Sequence, residues 1–147
     1  MKVRISGLST LPRAARKPAL IEAAVLRAFS LEKSPADGEV SVVFVSRAEH
    51  RALNLQYLGH DDDTDVISFE HEPLRGVPSE ECPIGDIFIS SWMAAQQAAA
   101  QKHSVLREVL ILTAHGVLHL LGHDDHAPRA KARMFRRQDE IVESLRV

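Results

Sequence analysis

The sequence predicts one α+β domain over residues 1–147, a mixed sheet of about four strands packed with about five helices. Three observations carry that reading. The length suits a single domain whose core needs no covalent staples. Short β-branched runs are interspersed with segments of helical periodicity, with no repeat or linker between them. One segment, Val105 to Leu121, is apolar almost all round, and a helix without a polar face is a buried one.

The elements follow in order. Lys2 to Ser6 alternates as a strand does and stops at Gly7. Thr10 and Pro12 signal a helix start, with a helical pattern to about Phe29. Pro18 lies inside that pattern and marks either a short preliminary turn or a later first turn. Pro35 to Gly38 is a turn, and Val40 to Val45 is a strand. Ser46 is placed to cap a helix from Arg47 to about Tyr57, with Leu53 and Leu55 among its apolar positions. Asp65 to Phe69 and Gly85 to Ser90 read as strands, separated by a proline-rich loop or crossover at 71–83. Ser90 or Ser91 opens an alanine-rich helix to about Lys102. The buried helix then ends at Gly122, and Pro128 opens a last helix reaching about Leu145.

Composition narrows the class. Hydrophobic residues make up 45% and charged residues 26%, which fits a globular chain rather than a disordered one. The lone Cys82 can form no internal disulfide and lies in the proline-rich loop as a structural or incidental thiol. The start lacks the apolar core of a signal peptide, and no run approaches the roughly 20 residues that span a bilayer. A cytoplasmic protein with no membrane partner is the expectation. The net charge of −2 averages basic ends against an acidic middle: residues 61–86 hold nine acids and one base. That distribution leaves room for a phosphate-bearing partner without requiring one.

Eight histidines are present, and four of them crowd into one stretch: His115, His119, His123 and His126. His115 and His119 are four apart on the predicted buried helix, so their side chains share one face. Two imidazoles so placed can hold one metal ion. Gly122 lets the chain turn back, which offers a third ligand from His123, Asp125 or His126. In zinc proteases with a His-Glu-x-x-His helix, the third ligand falls about six residues after the second histidine. That count reaches Asp125, with His126 as the runner-up. Three ligands with an open position describe a catalytic zinc site. The protease motif also carries a glutamate beside the first histidine, and here that position is Gly116. A metallopeptidase is therefore the least favoured reading.

The run His115-Gly-x-Leu-His119-Leu-x-Gly122 resembles the signature of the YbeY family of bacterial rRNA maturation factors. Leu53-Asn54-x-x-Tyr57, then Asp61-x-x-Thr64-Asp65-Val66-Ile67-Ser68-Phe69, is similar to the family's second motif, and Gly85-Asp86-Ile87-Phe88-Ile89 to its third. The resemblance spans most of the chain. It implies a zinc-dependent endoribonuclease specific for single strands, acting in rRNA 3′-end maturation and ribosome quality control. It implies one zinc ion per chain and partners in rRNA and the small ribosomal subunit. Asp65, Ser68 and Asp86 are candidates to orient the ligands or substrate.

Two positions depart from the family. Asp125 stands where a third histidine is usual, and its negative charge tempers the Lewis acidity of a bound ion. Leu58 stands where an arginine commonly follows the tyrosine. Arginine would clasp a phosphate bidentately, and leucine does not. Either another base (Arg51, Arg75 or one from 129–137) replaces it, or cleavage is weak. His60, two positions on, reads as an exposed loop histidine that could also meet phosphate. The alternative function is a non-catalytic zinc-binding assembly factor that docks on the ribosome through the basic ends.

Overall fold

The computed structural model describes residues 1–35 and 37–145. Four strands and five α-helices form an α+β arrangement, as the sequence predicts. Strand β1 is Lys2–Ser6, β2 is Glu39–Val45, β3 is Val66–Glu70 and β4 is Pro83–Ser90. The sheet order is β1-β2-β4-β3. The first three of these neighbours run parallel, and β3 runs antiparallel to β4. The sheet is therefore mixed, with the 71–82 loop joining its antiparallel pair.

Helix α1 is Pro18–Leu31, α2 Arg47–Leu58, α3 Ser91–Gln101, α4 Val105–Leu120 and α5 Pro128–Ser144. Serines start three of them. Ser46 accepts from the Glu49 amide, Ser90 from Met93 and Ser104 from Arg107, and such a cap is worth about 1 kcal/mol. Proline sits in the first turn of α1 and α5, where its missing N–H costs nothing.

The N-terminal helix starts later than Thr10 and Pro12 suggest. Residues 8–15 make two 3-10 turns, and α1 begins only at Pro18. Lys17, ahead of the proline ring, stands outside the helical region with φ of −121° and ψ of 76°, since the ring disfavours helical backbone at that position. The inward face of α2 also differs from expectation. Leu55 is exposed, and the buried residues are His50 and Asn54. They serve as polar anchors: His50 Nε2–H donates to the Phe88 carbonyl at 3.1 Å, and Asn54 Nδ2 donates to the Asp62 carbonyl at 2.7 Å.

Helix α4 is the axis of the core. It packs against α1, α3 and α5 and lies across β3 and β4. Val109, Leu110, Ala114, Val117 and Leu118 are fully buried along it. Close approach to the sheet depends on two glycines. A Cβ on Gly116 would stand 2.6 Å from Ile87, and a Cβ on Gly85 would stand 2.6 Å from Leu120. Each glycine thus receives the branched side chain opposite it, and the last two turns of α4 sit against β4.

Candidate metal centre

The buried course of α4 brings His115 and His119 to its accessible side, one turn apart. Their side chains are 14% and 32% exposed, so each is reachable yet largely desolvated. Leu121 closes the helix, and Gly122 follows with φ of 94°, a conformation that suits glycine. The chain turns back there and carries Asp125 to the two histidines.

The donor atoms converge. His115 Nε2 and His119 Nε2 are 3.1 Å apart, and Asp125 Oδ2 lies 3.6 Å and 3.7 Å from them. Each ring has its other nitrogen occupied. His115 Nδ1–H donates to Gln138 Oε1 at 2.9 Å, and His119 Nδ1–H donates to the His123 carbonyl at 3.2 Å. With the hydrogens at Nδ1, both Nε2 atoms present lone pairs to one point. Two lone pairs and a carboxylate oxygen facing one another repel unless a cation lies among them. Tetrahedral ligands at about 2.0–2.2 Å from zinc are spaced about 3.3–3.6 Å from each other, close to the triangle seen here. The donor set fits a zinc ion.

The protonation of the site agrees with that role. The pKa of His119 is lowered, first by burial and then by neighbouring His115, with Asp125 opposing. The neutral imidazole that a metal needs is therefore favoured.

The neighbouring residues sort cleanly. His123 turns its ring to Glu32, which also accepts from Arg137 Nε at 2.7 Å. Its side chain is committed to joining this loop to α1 and α5. His126 is 92% exposed and, with Asp124 and Asp125, makes a second acidic cluster on the surface. It does not join the triangle of His115, His119 and Asp125.

Ser68 donates to the Gly116 carbonyl at 2.9 Å and so braces α4 rather than a ligand ring. Asp65 accepts from the Val66 amide and from Gln97 Nε2. It shares a cavity wall with His115, but its hydrogen bonds go elsewhere. Asp86 pairs with His71 at 2.8 Å, and among the described residues none of its bonds reaches the ligands. The residue that does hold His115 is Gln138, which the sequence reading missed. Its signal was a glutamine on the buried stripe of α5, between Met134 and Ile141.

A cleft of about 650 Å³ opens beside His119. Leu58, Val66 and Leu120 give it apolar walls, and Thr64, Ser68 and Glu70 add polar ones. Leu58 thus faces the centre from the position where an arginine is expected. Among the described residues that line the cleft there is no lysine or arginine. Arg51 is bound to the Asp61 carbonyl at 2.7 Å, and Arg137 is held by Glu32 and Glu140. His60 is an exposed loop residue 3.6 Å from Asp62.

This combination defines an α+β protein with a candidate catalytic metal centre at the end of its central helix. The family model described as Endoribonuclease YbeY matches residues 11–146. The Endoribonuclease YbeY of Lysinibacillus sphaericus is 41% identical over 138 residues, covering 90% of this chain and 88% of its own. That of Caldanaerobacter subterraneus is 37% identical over 154 aligned positions, covering 99% and 98%. The solution structure of a Thermotoga maritima protein superposes with a TM-score of 0.61 at 26% identity, covering 97% of this chain and 88% of that one. The chain belongs to the endoribonuclease YbeY family, and so to a family of nucleases. None of its helices is long and apolar enough to cross a membrane, among the described residues.

Proposed function

We propose that this protein is a zinc-dependent, single-strand-specific endoribonuclease of the cytoplasm, acting in rRNA 3′-end maturation and ribosome quality control at the small ribosomal subunit. Family membership supports the nuclease chemistry. The observation that carries the site assignment is the convergence of His115 Nε2, His119 Nε2 and Asp125 Oδ2 with both Nδ1 atoms already bonded.

A zinc ion held there supplies Lewis acidity to a phosphate oxygen and to water. The protein's own contribution is to hold the ligands. Gln138 and the His123 carbonyl fix the tautomers of the two neutral rings and aim both Nε2 lone pairs at one point. Asp125 supplies the third ligand and a compensating charge. The cleft beside His119 lays a strand across the centre, its apolar wall meeting sugar and base and its polar atoms meeting the backbone.

The test pairs metal analysis with RNA cleavage. His119→Ala is expected to lose zinc and cleavage together. RNA cutting at the full rate by metal-free protein would overturn the mechanism. In Asp125→Ala zinc is expected to fall, and full retention would pass the third ligand to His126.

Leu58 favours a second reading, a zinc-binding ribosome-assembly factor without catalysis. It expects small-subunit binding to survive in folded His119→Ala and no cleavage by wild type with any divalent ion. A peptidase is not supported, because the packing of Gly116 on Ile87 leaves no room for a glutamate there.

A further inference from the structure

The cleft beside His119 is not the only hollow that reaches the metal centre. A second begins at His115 and Gln138 with a volume of about 140 Å³. It shares walls with an outer cavity of about 380 Å³, a size in the range of small-molecule pockets, roughly 300–1,000 Å³. The catalytic reading uses neither.

The lining has a definite chemistry. Phe135 is 39% exposed, and its ring centroid is 5.9 Å from that of His115. A flat group stacked there would sit next to a metal ligand. Lys131 Nζ stands 5.8 Å from the same ring and adds a cation beside it. Glu108 lines both parts although it is only 5% exposed. His103 donates to its Oε1 at 2.6 Å, which leaves Oε2 for another donor. Gln97 spends one amide N–H on Asp65 and keeps the other together with its carbonyl oxygen. Gln101 makes no side-chain hydrogen bond among the described residues, so its amide is open to a ligand.

A phosphate does not suit this hollow, since the Asp65 and Glu108 carboxylates would repel it. A flat heterocycle with N–H donors on its edge suits it well. Its face meets Phe135 and Ile111, and its edge meets Glu108 and the two glutamines. Single-stranded RNA offers such groups, and unpaired bases are read by stacking and edge hydrogen bonds.

We propose that this hollow is a nucleobase subsite, which takes the base adjoining the phosphate held at the metal centre. The proposal rests on the ribonuclease reading above and adds a source of cleavage-site preference to it. Glu108, which only accepts, favours adenine, cytosine or guanine, whose exocyclic amines donate, over uracil, whose edge carries two carbonyls, and the glutamine amides pair with either kind of edge.

The experiment maps the cut in a short single-stranded oligoribonucleotide with the zinc-loaded protein. It then compares kcat/KM for strands that differ only in the bases flanking the cut. Wild type is expected to favour an amine-bearing base at one flanking position over uracil by about tenfold. In Glu108→Gln that ratio should flatten with zinc content unchanged, and Gln101→Ala should lower kcat/KM for every base. Phe135→Leu should lower kcat/KM about tenfold for every base, since stacking does not distinguish them. Gln101 is exposed, so its variant keeps the test decisive if Glu108→Gln fails to fold. Cleavage with no preference in wild type, the same preference in Glu108→Gln, or an unchanged kcat/KM in Gln101→Ala overturns the subsite and leaves the ribonuclease reading standing. Failure of any strand to be cut with any divalent ion overturns both.

Discussion

Gln138 shows how a candidate metal site can depend on a residue outside its donor set. Its carbonyl oxygen holds the His115 Nδ1–H, and with it the orientation of the Nε2 lone pair. Gln138→Leu keeps the volume and removes the acceptor. Zinc affinity is expected to fall about 10–100-fold, with the urea midpoint little changed and affinity partly restored in Gln138→Glu. Competition with a chelating dye measures this, and wild-type affinity in Gln138→Leu would refute it. The convergence of His115, His119 and Asp125 was legible in the sequence because a four-residue helical step and a glycine turn fix their relation locally. Gln138 was not, since its partner is 23 positions away and only tertiary packing of α5 on α4 joins them. Leu58 is the opposite case: its departure from the family was visible at once, and the structure adds that it lines the cleft. Leu58→Arg would put a guanidinium where no basic side chain lies. Oligoribonucleotide cleavage should rise at least about tenfold, as a new donor to transition-state charge does. An unchanged kcat/KM in a folded Leu58→Arg protein would show that a phosphate clasp at this position does not limit the reaction.

Helix α4 owes its place to an interlock with β4 rather than to hydrophobicity alone. Gly116 receives Ile87, and Gly85 receives Leu120. Gly116→Ala would gain about 1 kcal/mol of helix propensity in isolation. Its Cβ would also meet Ile87 Cγ2 at 2.6 Å, and overpacking of this kind costs about 1–3 kcal/mol. The expected result is a lower urea midpoint together with weaker zinc binding, because the helix that shifts also carries both histidines. A stabilised Gly116→Ala protein with full zinc affinity would disprove the interlock. Strands and most helices were legible because β-branched runs, serine caps and prolines act over a few residues. Where the reading missed, the cause lay in backbone detail or in distant partners. Pro18 kept Lys17 out of helical backbone, so of the two readings its position allowed, the later first turn is the one the structure adopts. Helix α2 buried His50 and Asn54 instead of Leu55, because its inward face meets the Phe88 and Asp62 carbonyls rather than an apolar surface.

Helix α1 packs on α5 in the folded molecule, and Glu32, just after α1, binds Arg137. Acid sensitivity also belongs to the fold as a whole, through a histidine remote from the metal ligands. His50 is 1% exposed, and its Nε2–H is already bonded to the Phe88 carbonyl. Among the described residues its Nδ1 has no hydrogen-bond partner, so a proton added there would point at no acceptor among them. Burial lowers the pKa of His50 below the ordinary 6.5, with the Phe88 hydrogen bond opposing. Above about pH 6.5 the group is neutral in both folded and unfolded chains and has no effect on the balance. Below that value the unfolded chain takes up a proton that the folded one refuses, so stability falls. The loss continues until the pH reaches the lowered folded value and then levels off. His50→Gln keeps an amide donor for the Phe88 carbonyl and removes the titration. Its stability should decline less steeply than that of wild type below about pH 6.5, by up to about 1.4 kcal/mol per pH unit. Urea unfolding of both proteins across this range measures the difference, and His119, shifted the same way, contributes equally to each curve. Parallel curves would mean that the folded protein admits the proton at His50 without cost, and the burial argument would fail.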